Sequence, residues 1–295
     1  MSTVVIPRSA SNAKTLRHRF VAIGRRWPIH LTLFVIAVVW IVPALGVFVT
    51  SVRPRTDILG SGWWTILLHP NLTLDAYGEV LSSFGFGQAF LNSVFITVPA
   101  TVLPISIGAL AAYAFAFMRF PGRKTIFFIV IALMVMPTQA AFVPILQLFR
   151  ALNLNGGFIG IWLAHTAFGL PFAIFLLRGF FVQLPFEILE SAQIDGASSL
   201  RIFWSIILPL SKPALASLAV FQFLWVWNDL IMNLILLSNP ALYPLPVQTA
   251  GLLSGYGQEH DIVAASSVLL MIVPLILFLS LQRYFVRGVV AGSVK

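Results

Sequence analysis

Two groups of residues in this chain could do chemistry. The first lies between residues 187 and 213, where Glu187, Glu190, Ser191, Asp195, Arg201 and Lys212 gather in an otherwise apolar second half. The second is a sparse set of polar side chains inside apolar runs: Asn92, Thr138, Gln139, His165, Gln222, Asn228, Asp229 and Asn233. Neither group makes a catalytic set. The five His stand at 18, 30, 69, 165 and 260, too scattered to join the acids in an acid–base pair or a metal centre. With no Cys, disulfides and thiol chemistry are excluded. No G-x-x-x-x-G-K-[ST] loop is present, so the chain cannot supply ATP chemistry. Polar groups of this kind can receive another protein on a protruding surface. Inside apolar runs they can hydrogen-bond neighbouring helices or a polar solute.

The elements that must position them follow from composition. Hydrophobic residues make up 59% of the 295 and charged residues 9%, against about 25% charged in a soluble domain. Lipid must therefore be the main solvent. Six apolar runs exceed the roughly 20 helical residues needed to cross hydrocarbon. Their approximate limits are Ile29–Thr50, Phe90–Phe117, Thr125–Leu148, Phe158–Phe181, Ile206–Leu236 and Ile262–Phe285. Pro43, Pro99, Pro104, Pro137, Pro144, Pro171 and Pro274 fall inside them. Neighbouring helices must satisfy the backbone groups these free, so a packed bundle is expected. The fold class is all-α membrane protein with six transmembrane helices.

With the N-terminus inside, 15 of the 18 Lys and Arg lie in cytoplasmic segments, and Arg53, Arg55 and Arg150 are the exceptions. That asymmetry is the positive-inside pattern. It puts both termini and the 187–213 stretch in the cytoplasm. The expected organisation is a basic N-terminal segment over 1–28, a six-span domain over 29–285 containing a cytoplasmic loop at 184–213, and a tail over 286–295. The first run is too long, and its basic lead too extended, for a removable signal peptide. The basic residues do not cluster on a soluble face, so nucleic acid is not an expected partner. The outer segments Ser51–Gln88 and Leu237–Asp261 hold Trp63, Trp64, Tyr77, Tyr243 and Tyr256. These mark the membrane interface or a docking surface for an external partner.

The 184–213 loop reads as a compact knob. Pro185 suits a helix start, and Glu187 and Glu190 sit near the positive end of that helix. Gly196 can take a left-handed conformation and stop it. Ser198 or Ser199 can cap the next helix. Leu200, Phe203 and Ile207 recur at helical spacing as an expected buried stripe, and Pro209 and Pro213 mark the return to the membrane.

This stretch resembles the cytoplasmic loop of ABC-importer permeases, whose consensus is Glu-Ala-Ala, three residues, Gly, nine residues, Ile, one residue, Leu-Pro. Glu190, Ser191, Ala192, Gly196, Ile206, Leu208 and Pro209 hold those positions. Ser191 departs from the first Ala, a small-for-small change. Further stretches look like those of carbohydrate-uptake permeases: Leu91-Asn92-Ser93, Ala111 to Phe115, Phe120-Pro121-Gly122-Arg123, Trp227-Asn228-Asp229, Gln282 to Gly288 and Ala291-Gly292. Within that group the chain resembles the smaller maltose-type permease subunit.

The resemblance implies the type I importer fold, a second permease as heterodimer partner, two cytoplasmic ATPase subunits and an extracytoplasmic solute-binding protein, in a bacterial or archaeal cytoplasmic membrane. It implies no cofactor on this chain, with ATP and Mg used by the ATPase. The residues it implies for ATPase coupling are Glu187, Glu190, Ser191, Ala192, Asp195, Gly196, Ala197, Arg201, Phe203 and Pro209. A sugar is the implied cargo, and a glycosylated osmolyte, an amino acid or another small polar solute is the alternative.

The polar residues inside the spans carry two readings. An acid at mid-bilayer costs about 2.5–3.5 kcal/mol on insertion scales and normally faces protein or a wet cavity. Asn228 and Asp229 either bond neighbouring helices or line the solute path with Asn92, Gln139, Gln222 and Trp225. His165, alone in its run, reads as a satisfied core histidine. A nearly solitary Asp229 argues against a proton-coupled carrier.

Overall fold

The computed structural model describes residues 10–255 and 259–291, with side chains over 27–253 and 259–282. Arg8, Tyr256 and Lys295 lie outside the described residues, and so do the side chains of Lys14, Arg17, Arg19, Arg25, Arg26, Arg283 and Arg287. Among the described residues all regular structure is helical.

Helix α1 runs Ala10–Ser51, and short helices α2 (Arg55–Gly60) and α3 (Asp75–Ser83) follow, with a 3-10 turn at Trp63–Leu67 between them. Helix α4 spans Phe86–Phe117, α5 Arg123–Leu133, α6 Thr138–Ala151 and α7 Phe158–Phe181. The loop helices are α8 (Phe186–Ile194), α9 (Ser199–Ile202) and α10 (Leu208–Leu210). Then come α11 (Lys212–Trp227), α12 (Ile231–Leu236), α13 (Leu245–Gly255) and α14 (His260–Ala291).

Among the described residues four helices are long and apolar enough to cross a membrane: Trp27–Ser51, α4, α7 and His260–Gln282. Two more candidates are bent pairs, and here the structure corrects the expected spans. The third run is not one straight helix: α5 and α6 meet at 101°. Pro137 lacks the N–H for continuation and disfavours helical backbone at Met136; it sits extended at φ −63°, ψ 119°. The fifth run bends by 76° between Ser199–Leu210 and α11. Its main helix, α11, begins at Lys212 rather than Ile206 and ends at Trp227 rather than Leu236. Pro213 stands in the first turn of α11, where a missing N–H does no harm.

The most extensive helix pairing is between α4 and α7. Small residues allow it. A Cβ on Gly108 would stand 2.7 Å from Ala173 Cβ, and Ala109, Ala112 and Ala173 are all buried. Without water to drive association, close backbone approach of this kind is what holds membrane helices together. Helix α11 packs on α4, α7 and α14, and α14 covers α1. One core cluster joins this bundle to the loop: Tyr113, Leu177 and Phe181 meet Leu189, Ile202, Phe203 and Ile207.

At the opposite end from that loop, two of the three exceptional arginines are consumed internally. Arg53 is buried, and its guanidinium donates to the Gly62 and Asp57 carbonyls, Ser61 Oγ and Thr65 Oγ1. Arg55 holds Asp261 at 3.1 Å, Glu259 at 2.9 Å and Glu79 at 3.6 Å. Burial pulls its pKa down, but the Asp261 hydrogen bond and the three carboxylate charges outweigh that and hold it above the ordinary value.

Candidate functional site

The 184–213 loop has a polar crest and an apolar root. Pro185 precedes α8 at φ −58°, and Glu187, Glu190, Ser191 and Asp195 are all exposed on the helix and its cap. Ser191 Oγ donates to the Glu187 carbonyl at 2.7 Å, so the extra hydroxyl is satisfied within the helix. Gly196 closes α8 at φ +79°. No atom lies within 4 Å of where its Cβ would be, so backbone conformation, not space, requires glycine there. The chain reverses through the Gly196 N–H to the Gln193 carbonyl and the Ala197 N–H to the Ala192 carbonyl. Ser198, not Ser199, caps α9, its Oγ accepting from Arg201 N at 3.3 Å. Ala192 and Ala197 pack half-buried against the root. Arg201 and Pro209 stay exposed.

The buried stripe differs from the expected one. Leu200 is 61% exposed; Ile202, Phe203 and Ile207 are buried. Residues Phe203–Ile207 form a π turn, which lines up residues five apart rather than four. Ile202, Phe203 and Ile207 share the buried face, and Leu200, in α9 before the π turn, lies off it. Phe203 sits edge-on to Tyr113 of α4, ring centroids 5.4 Å apart.

The polar interior is dispersed. Asn92 is buried and donates to the Ala241 and Tyr243 carbonyls at 2.8 and 3.1 Å, tying α4 to the segment before α13. Gln139 lies exposed at the start of α6 and accepts from Thr138 Oγ1. Asn228 is exposed and donates back to the Leu224 carbonyl at 2.8 Å. Asp229 accepts from Met232 N at 3.1 Å, starting α12. Gln222 and Trp225 are the two that come together. With Phe168, Gly169, Phe172 and Phe221 they line a cavity of about 270 Å³ between α7 and α11.

His165 is not the satisfied core histidine expected. It is fully buried, and among the described residues neither ring nitrogen has a hydrogen-bond partner. Its Nε2 stands 3.6 Å from Asp229 Oδ2, and its ring meets Trp225 edge-on at 5.5 Å.

The model of the family described as binding-protein-dependent transport system inner membrane component matches residues 104–291. The chain belongs to this family. It is thus a multi-pass transport component of the inner membrane, as the loop motif implies, and not an enzyme family member. The permease is 49% identical over 290 residues, 97% of each chain, to the osmoprotective compounds uptake permease protein GgtD of Synechocystis. It is 50% identical to the alpha-glucoside transport system permease protein AglG of Rhizobium meliloti, over 79% of this chain and 63% of that one. The arabinooligosaccharides transport system permease protein AraQ of Halalkalibacterium halodurans is 33% identical over 91% of this chain and 96% of that one. A crystal structure of a bacterial ABC transporter importing the acidic polysaccharide alginate aligns with a TM-score of 0.75 and 25% identity, covering 96% of this chain and all of that one. The architecture is accordingly that of the ABC-importer permeases. The matched residues include the loop, α7, α11 and the cavity between them.

Three features of the permease escaped the sequence. The His165–Asp229 pair joins residues 64 apart, and nothing in their spacing announces it. Gly169 lies directly under Gln222: a Cβ there would come within 2.6 Å of Gln222 Nε2. The Arg55 cluster draws on α2, α3 and the start of α14.

Proposed function

We propose that this permease is one of two membrane subunits of an ATP-driven sugar importer, with six spans and both termini in the cytoplasm. Two separate ATPase subunits use ATP and Mg. A solute-binding protein delivers cargo from the other side, and the 184–213 loop receives the ATPase motion. The single observation that carries this reading is the construction of the loop. Its polar crest of Glu187, Glu190, Asp195 and Arg201 is exposed, while its root is fixed in the bundle core by Leu189, Ile202, Phe203 and Ile207. A load on the crest is therefore passed to α4 and α7 instead of being lost in a slack linker.

Sugar cargo is supported by relatives named for alpha-glucosides and arabinooligosaccharides. The Synechocystis relative is named for osmoprotective compounds. The orientation is supported by the distribution of Lys and Arg, 15 of 18 of which fall in the segments read as cytoplasmic.

The test is Gly196→Pro in the assembled complex. Proline cannot adopt φ +79°, so the reversal after α8 fails. The expected result is loss of the ATPase during purification, or ATP hydrolysis without sugar uptake. Normal retention and normal uptake together would overturn the coupling role.

A further inference from the structure

The turn joining α4 to α5 gathers positive charge that no carboxylate answers. Arg119, Phe120, Gly122, Arg123, Lys124 and Thr125 line an open cavity of about 480 Å³ there. No Asp or Glu occurs between Glu79 and Glu187. Among the described residues none of the three cations is in an ion pair, and Arg119, Lys124 and Thr125 are exposed. The frame that presents them is fixed. Phe120 packs on Phe115 with ring centroids 5.7 Å apart, Arg123 Nη1 donates to the Met118 carbonyl at 2.9 Å, and Gly122 turns the chain at φ +75°. Arg178 of α7 adds a fourth cation beside the turn. It lies 4.2 Å over the ring of Phe127, and its Nε donates to the Phe115 carbonyl at 3.3 Å.

Cations held on one turn repel each other, so the arrangement favours an anion. Among the described residues the N–H groups of Lys124 and Thr125, at the start of α5, have no partner, and the positive end of the helix dipole adds to the field. Guanidinium and ammonium groups both suit phosphate oxygens. An acidic protein surface and a lipid phosphate are both anionic, and the neighbouring helix face decides between them. Ile126, Ile129 and Leu133 recur along α5 at helical spacing and are exposed, with Phe128 exposed beside them. A protein docked on the turn would leave this stripe uncovered; acyl chains cover it. Helix α5 has 11 residues, about 16 Å at 1.5 Å per residue. That is the depth of one leaflet in a hydrocarbon layer about 30 Å thick. A phosphate at the helix start and acyl chains along its side make the footprint of one molecule.

We propose that the α4–α5 turn is a binding site for the phosphate of an anionic phospholipid, with its acyl chains lying along Ile126, Ile129 and Leu133. Basic pockets between membrane helices at the cytoplasmic surface take such headgroups, and the orientation proposed above puts the turn in that leaflet. Helix α4 also carries Tyr113, against which Phe203 of the loop rests. The lipid therefore braces the end of the helix on which the loop is rooted. The site is independent of the cargo, and its test needs no transport assay.

The complex of permeases and ATPases is reconstituted in phosphatidylcholine nanodiscs with a trace of a lipid carrying a photoactivatable acyl chain. That probe is either phosphatidylglycerol or phosphatidylcholine, and cross-linked peptides of this chain are mapped by mass spectrometry. In wild type the peptide over 118–135 should be labelled at least about fivefold more by phosphatidylglycerol. Arg119→Gln and Lys124→Gln each remove one exposed charge and should each lower that labelling about fivefold, with the ATPase retained. Arg150→Gln, which removes an exposed charge at the end of α6, should leave it unchanged. Inorganic phosphate in millimolar excess should displace little of the probe.

Equal labelling by the two probes in wild type would overturn the site and leave α5 an ordinary lipid-facing helix; that comparison needs no variant. Labelling that survives both Gln substitutions would overturn it as well. Displacement by inorganic phosphate would make the turn a site for a soluble anion. Loss of the ATPase from either variant with labelling intact would assign the cations to the protein partner instead.

Discussion

The cytoplasmic-type loop and the polar interior hold similar numbers of polar residues and use them in opposite ways. In the loop every polar side chain of the crest points outward, and an apolar root holds the whole unit. In the interior the polar groups are spent one by one: Asn92 on a neighbouring segment, Asn228 on its own helix, Asp229 on the start of α12. Among the described residues Gln222 is held through its Nε2 by the Ala100 carbonyl, and Asn233 Oδ1 stays buried without a partner. The loop can be stiff and exposed at once because its short helices share one apolar root, which packs on Tyr113, Leu177 and Phe181 of the bundle. A mid-membrane site must be assembled from helices far apart in sequence, so most polar groups there are bound up in assembly.

The sharpest way to break this contrast is to remove the root and keep the crest. Phe203→Ala empties a fully buried aromatic site against Tyr113 and should destabilise the loop by about 3–5 kcal/mol. Protease should cut between residues 184 and 213, and the ATPase should be lost although Glu187 and Glu190 are intact. An uncut, ATPase-retaining variant would show that the root is not what stiffens the crest.

Asn92→Leu addresses the interior. It leaves the carbonyls of Ala241 and Tyr243 without their donor, a penalty of about 1–3 kcal/mol. Lower thermal stability with unaltered sugar affinity is expected; altered affinity at normal stability would return Asn92 to the solute path.

Gly196→Val against Gly196→Asn separates conformation from bulk. Nothing crowds the site, so both fit, but Val at φ +79° is strained by roughly 1–2 kcal/mol while Asn tolerates the region. ATPase retention should fall for Val and stay near wild type for Asn. The smallest effect on the fold belongs to Glu190→Gln. It should leave the melting temperature unchanged and still weaken ATPase binding, as measured by its salt resistance during purification.

What was legible follows the same division. Helix α7 was read to the residue, Phe158–Phe181, because an uninterrupted apolar run bounded by Gly157 needs no partner to be recognised. The loop's turn and cap were legible from Gly196 and the serines beside it. The stripe held at Phe203 and Ile207 but took Leu200 in place of Ile202, because spacing alone does not say which face of the short α9 meets the bundle. The third run read as one span because Pro144, Pro171 and Pro274 do sit inside helices here. Only packing decides that Pro137 is the one that breaks its helix. His165 looked alone because its partner is set by how α7 meets the break after α11.

The elbow at Ser211 has a mechanical consequence. The loop helices and α11 are joined with their axes 76° apart. A push along Ser199–Leu210 therefore reaches α11 mostly as a sideways load and little as a thrust along its axis. On the coupling role proposed above, the loop would lean α11 rather than pump it. A leaning α11 would move Gln222 and Trp225 across the face of α7, widening or narrowing the cavity between them without changing any hydrogen bond within either helix.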